Sequence, residues 1–191
     1  MPASPRRRQL LDAALHVLAD EGLKGLTHRA VDRRAGLPEG SCSAYLRTRR
    51  ALQAALAEDV ADRLLGDVDR LADELATADE PDGVGAAIAL FQRWLDRREL
   101  LVARLELTMA ASRDPELAGL LADQRRRLVE LVERIMTATG KEHSAARAEA
   151  LVASYDGVLL AALLKPAAER GAFLARSLDL LGAGLAGGSG A

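Results

Sequence analysis

Apolar residues recur along this chain every three to four positions, the period of an amphipathic helix. Leu11, Ala14, Leu15 and Leu18 form the first stripe, which closes at Gly22. Leu26, Val31 and Leu37 flank a short helix over about 28–35, opened by the N-cap Thr27 and closed by Gly36 before Pro38. A second short helix is predicted from Glu39 or Gly40 to about Leu46. Thr48 then caps a long one carrying Leu52, Leu56, Val60 and Leu64 to about Ala78. The Glu80-Pro81-Asp82-Gly83 break leads into helices over about 84–97 and 99–112. Asp114-Pro115 opens another, which runs to Gly140. Two last helices, about 144–164 and 169–185, flank Lys165-Pro166. No stretch alternates with period two for long enough to make a strand. The expectation is an all-α fold of about nine helices, with Met1–Pro5 loose and 186–191 a flexible tail.

Composition agrees. Of 191 residues 49% are hydrophobic but only 3% aromatic, and the strong helix formers Ala, Leu, Arg and Glu dominate. Charge is more informative than its total of −2 suggests. Residues 1–50 hold 10 Lys+Arg against 5 Asp+Glu, a balance of +5, while the remainder holds 16 against 23, a balance of −7. A basic first third suits a surface that meets phosphates, and an acidic remainder suits a body that phosphates repel. Arg6-Arg7-Arg8 either lies along DNA or is a solvated first turn. Arg125-Arg126-Arg127 is read as a solvated face.

Two helices joined by a tight Gly-containing turn make a helix-turn-helix, whose second helix enters the major groove. Thr27, Arg29, Ala35, Gly36, Leu37, Gly40, Tyr45, Thr48, Arg49 and Leu52 together resemble the DNA-binding domain of the TetR family of transcriptional regulators. The resemblance is specific over about 6–63 and weak beyond. Three positions depart from the family's usual pattern. Leu46 stands where Phe is common, and Ser43 where a Tyr often touches phosphate, a contact either passed to Tyr45 or lost. Asp32 replaces a small apolar residue and is expected to pair with Arg49 or to face solvent.

The resemblance implies a helix-turn-helix domain over 5–50, extending into the linking helix to about 65, and an effector-binding and dimerisation domain over 51–185. It implies a homodimer, most often a repressor, on a pseudo-palindromic operator, released by a small-molecule effector. Two-fold geometry sets the recognition helices about one DNA turn apart, ~34–36 Å. His28, Arg29, Ser41, Ser43 and Ala44 are candidates for base edges, and Thr27, Tyr45, Thr48 and Arg49 for phosphate. Gly40 either admits the groove wall or simply starts a helix. The family's ligand pocket falls on Phe91, Trp94, Leu105, Met109, Met136 and Tyr155, with Arg104, Glu106 or Asp156 as polar handles and a hydrophobic or amphipathic effector. The stripes with Leu151, Tyr155, Val158, Leu159, Ala162, Leu174, Leu178 and Leu181 either close the chain's own core or pair with a second copy.

Other classes fit less well. His16, His28 and His143 are scattered, and no metal-ligand spacing, phosphate loop or nucleophile motif occurs. Neither an enzyme nor a cofactor or metal is expected. Cys42 is the single cysteine, as in a reducing cytoplasm, and it is read as a packing residue rather than a redox sensor. No apolar run reaches membrane-span length. The competing reading is a helical protein-interaction module without sequence-specific DNA binding. Salt separates the two: affinity for nonspecific duplex that falls steeply with salt marks phosphate contacts, and no binding at low salt favours the module.

Overall fold

The computed structural model describes residues 4–141 and 144–186. Its helices are α1 Pro5–Gly25, α2 His28–Ala35, α3 Ser41–Tyr45, α4 Arg49–Thr77, α5 Gly83–Asp96, α6 Arg98–Ala111, α7 Pro115–Ala138, α8 Ala145–Leu163 and α9 Ala167–Ala186, with no strand among the described residues. The ends are set by local chemistry. Ser4 caps α1 by accepting from the Arg7 amide, and Pro5 sits at a first-turn position where a missing N–H costs nothing. Ser4 and Pro5 are therefore ordered into the helix start rather than loose, and Met1–Ala3 lie outside the described residues. Asp82, Asp114 and Ser144 cap α5, α7 and α8 in the same way. Gly36 and Gly140 take positive φ of 67° and 65° at the ends of α2 and α7, a conformation that an L side chain resists. Leu37 N–H then reaches back to Asp32 O and Lys141 N–H to Met136 O, closing orphan carbonyls. Gly22 interrupts α1 as expected, at φ 68°, but helical turns resume to Gly25.

The chain divides into two compact units, Met1–Arg63 with Glu99–Gln124, and Leu64–Arg98 with Arg125–Ala191. Both units are discontinuous in sequence, α6 and the front of α7 grouping with the N-terminal helices. Of the expected tail, Ala186 still belongs to α9, and 187–191 lie outside the described residues.

In unit 1, α1 packs against α2 and α2 against α3. Leu10, Leu11, Ala14, Leu18, Leu26, Val31, Leu52 and Leu56 are buried there. Polar ties cross the same elements. Gln9 Nε2 donates to Ala35 O at 3.0 Å, and Arg63 bridges Asp12 and Asp59 at 2.5 and 2.8 Å. Leu23 is held from both sides, its amide donating to Glu106 Oε2 on α6 and its carbonyl accepting from Arg49 on α4.

In unit 2, α5 packs on α9 and α8, and α8 on α9. Phe91 stacks on Trp94 at 5.5 Å between centroids and meets Tyr155 edge-on at 5.2 Å, both favoured aromatic geometries. Tyr155 also packs against Val132, Met136, Ala148, Leu151 and Val152. One carboxylate organises the polar side of this cluster: Asp67 accepts from Trp94 Nε1 at 2.8 Å, from Arg97 at 2.7 Å, and from Arg70. Trp94 is buried, so its indole N–H has to have an acceptor. Asp67→Ala should destabilise the protein by about 1–3 kcal/mol, the usual cost of an orphaned buried donor. Urea unfolding followed by fluorescence of the single tryptophan measures this, and an unchanged midpoint would show that the indole gains nothing from Asp67.

Candidate nucleic-acid interface

A five-residue helix is too short to stand alone, because nucleation fixes several residues for little hydrogen bonding in return. α3 is such a helix, and α2 holds it. Among the described residues, Asp32 is the buried charged one, 1% exposed. Its Oδ2 accepts from Gly40 N–H at 2.8 Å and its Oδ1 from Cys42 N–H at 2.7 Å. These are orphan donors of the α3 N-terminus, and Gly40, at φ 94°, offers no side-chain cap of its own. The expectation that Asp32 pairs with Arg49 or faces solvent is corrected: Arg49 donates to Leu23 O at 2.5 Å, and Asp32 caps the next helix. At the other end of α3, His28 Nε2 lies 2.5 Å from Leu46 O. A carbonyl only accepts, so that nitrogen carries the proton. Cys42 and Leu46 are buried beneath.

The remaining sequence candidates fall on the outer side of this frame. Arg29, Ser43, Ala44, Thr27, Thr48 and Arg49 are exposed, and Tyr45 is 48% exposed. Arg29 pairs with Glu39 at 3.0 Å, both side chains in solvent. Ser41 and Ser43 turn their hydroxyls back onto Pro38 O and Gly40 O, at 2.7 and 2.9 Å, which leaves their oxygens as acceptors. Thr27 and Thr48 do the reverse. Their oxygens accept from Ala30 N–H and Ala51 N–H, leaving each hydroxyl proton to donate. Nothing lies within 4 Å of where a Gly40 side chain would begin. Its warrant is therefore its positive φ together with that open space.

The other candidates divide between the units. Phe91, Trp94, Met136 and Tyr155 belong to unit 2, while Leu105 and Met109 belong to unit 1, where Met109 is 59% exposed. Glu106 is engaged with the Leu23 amide, and Asp156 pairs with Arg125. Of the eight α8–α9 residues, Leu151, Leu159, Ala162, Leu174 and Leu178 are closed inside unit 2, with Tyr155, Val158 and Leu181 half-buried. Among the described residues, the large apolar side chains that α8, its C-cap and α9 leave in solvent are Leu160, Leu164 and Leu180.

Comparison with known proteins places this geometry. Residues 47–183 match the family described as tetracyclin repressor-like, C-terminal domain. The chain belongs to the TetR family. Over 164 residues it is 27% identical to the HTH-type transcriptional regulator BetI of Cronobacter sakazakii (strain ATCC BAA-894), covering 83% of this chain and 80% of that one. A transcriptional regulator from Rhodococcus sp. Rha1 shares the fold with a TM-score of 0.78 over 96% of each chain, at 23% identity. The multidrug binding protein EbrR, complexed with ethidium, matches at 29% identity and a TM-score of 0.65 over 92% of this chain and 99% of that one. This TetR-family chain is a transcriptional regulator, not an enzyme. Among its described residues no helix is long and apolar enough to cross a membrane.

In this TetR-family fold the Cys42 thiol of α3 is shifted by its surroundings. Burial, and then the Asp32 charge, push its thiol from 9.0 up to about 11. It is therefore a neutral packing group at neutral pH and a poor nucleophile. The unfolded thiol ionises near 9.0 and the folded one near 11, so the unfolded state loses its proton first and stability falls as pH rises through that window. Denaturant midpoints should drop more steeply between those pH values in the wild type than in Cys42→Ala. Parallel pH profiles would contradict the assignment.

Proposed function

We propose that this regulator is a repressor that binds a pseudo-palindromic operator as a homodimer in the cytoplasm, with a helix-turn-helix domain over 5–50 extending into α4 to about 65. The observation that carries the reading is the bracing of α3. A one-turn helix is fixed from behind at both ends, while Ser43, Ala44 and Tyr45 stand in solvent on the other side. Arg29 and Ser43 read base edges, and Thr27, Tyr45, Thr48 and Arg49 position the domain on phosphates. The balance of +5 over residues 1–50 supports this.

The two-fold partner packs along α8 and α9. Support comes from Leu160, Leu164 and Leu180, exposed at 45, 83 and 75%, beside the half-buried Val158 and Leu181. A hydrophobic or amphipathic effector binds in the body against Phe91, Trp94, Met136 and Tyr155. EbrR, the 29% identical relative, is a multidrug binding protein, which favours a small molecule of that kind. The effector weakens DNA binding by preferring the conformation whose half-site spacing does not fit the operator.

Selection of bound sequences from random duplexes should enrich a palindrome with half-sites about one helical turn apart. On that operator, Arg29→Ala should lose roughly 1–3 kcal/mol and relax the preference at one base pair. Tyr45→Ala should weaken binding across all sequences alike. Gel-shift affinities equal to wild type for both variants would remove the assignment, and an unenriched pool would remove the function.

A further inference from the structure

His28 and Asp32 stand four residues apart in α2, and so share one face of that helix a turn apart. Both spend their polar atoms on α3. Asp32 takes the amides at its start, Gly40 and Cys42, and His28 meets the carbonyl of Leu46 at its end. One face of α2 therefore grips a single turn of helix at its two extremities. Resting on the DNA-binding reading above, we propose that His28 and Asp32 are positioning residues of the reading surface. They fix the rotation of α3, and so which base edges Ser43 and Ala44 meet, without themselves touching DNA.

Apolar packing alone does not set that rotation. Cys42 and Leu46 are fully or nearly buried and give α3 its depth, but contact between apolar groups is non-directional. A short helix seated on two such side chains keeps freedom to roll about the line joining them. Hydrogen bonds at both termini remove it, because each demands near-linear geometry at a fixed distance. The acceptor on the Asp32 side is a carboxylate, whose bonds to N–H are the stronger, charge-assisted kind. The side chain is also closed off from water, so no solvent molecule competes for the amides. Phosphate contacts tolerate small rotations of the protein, since they carry no sequence information. Base-edge contacts do not. Loosening α3 is therefore expected to cost specificity before it costs general affinity for DNA.

Asp32→Asn separates these effects while keeping shape. One carboxylate oxygen becomes an NH₂ group that faces a backbone N–H, so the α3 start loses one of its two acceptors. Operators are first selected with the wild type from random duplexes; affinities for the enriched duplex and for a scrambled one are then measured for the wild type, Asp32→Asn and His28→Ala. The expected result is a roughly tenfold to hundredfold loss on the enriched duplex for Asp32→Asn, a smaller loss for His28→Ala, and scrambled-duplex affinity within about twofold of wild type with the same salt slope. Amide hydrogen exchange at Gly40 and Cys42 in the DNA-free Asp32→Asn protein should speed up, a readout that does not depend on any operator. Wild-type affinity of Asp32→Asn for the enriched duplex overturns the inference, as does an equal loss on both duplexes or unchanged exchange at Gly40 and Cys42. Failure of the wild type to enrich any sequence overturns the DNA-binding reading itself, and this inference with it.

Discussion

A carboxylate removed from water survives in a protein only where hydrogen-bond donors replace its hydration, since an uncompensated buried charge costs several kcal/mol. Asp32 meets that demand with the amides of Gly40 and Cys42, at 2.8 and 2.7 Å. The dependence runs both ways. Those two amides belong to a helix start whose N-cap is a glycine without a side-chain acceptor, and so need an acceptor from elsewhere in the chain. Each hydrogen bond to a charged group is worth about 1.5–3 kcal/mol. The exposed Arg29–Glu39 pair, although at a similar distance, is worth well under that because water screens it. Between the two, it is the buried cap that decides where α3 sits.

The same logic recurs further along the chain, each time with an acceptor placed by one helix for donors of another. Glu106 on α6 takes the Leu23 amide just past the bend at Gly22, and Arg49 at the start of α4 takes the Leu23 carbonyl. Both backbone groups of the residue that follows the bend are thereby engaged, and the entry into α2 is held from two elements. In unit 2, Asp67 on α4 serves Trp94 and Arg97 and so fixes the buried edge of the Phe91–Trp94–Tyr155 cluster. Apolar stripes bring these helices together; a few polar atoms settle their angles.

This division explains what could be read from sequence. Helix existence and ends were legible because they are written locally. Thr27, Asp82, Asp114 and Ser144 cap where their side chains allow, and Gly22, Gly36 and Gly140 turn where only glycine does so cheaply. The helix-turn-helix was legible for the same reason. Asp32 was not, because its acceptor role depends on donors eight and ten residues onward, and sequence alone does not say which face of α2 looks inward. One signal was present: a charged residue at 32, where the family's usual pattern has a small apolar one. The α8–α9 stripes were legible as apolar but not as to what they cover. Leu174 and Leu178 serve their own chain, whereas Leu180, two positions on, faces water. Leu105 and Met109 look like companions of Phe91 and Trp94 in the sequence; contacts put them in the other unit.

The charge asymmetry takes on a narrower meaning once the pairs are located. The balance of +5 over residues 1–50 overstates what a phosphate meets. Arg29 is paired with Glu39, Arg34 with Asp20, and Arg50 with Asp114, which caps α7, and Glu116 in its first turn. The acids of α7 come from the acidic stretch of the sequence yet sit within unit 1, so the compact unit is less basic than its first fifty residues. Surface pairs of this kind hold weakly and give way to phosphate, but each exchange returns only the difference between two ion pairs. General attraction to DNA is reduced accordingly. On the proposed DNA-binding reading, what distinguishes one duplex from another is the placement of a few side chains on a single turn of helix, whose start is held by the buried carboxylate behind it.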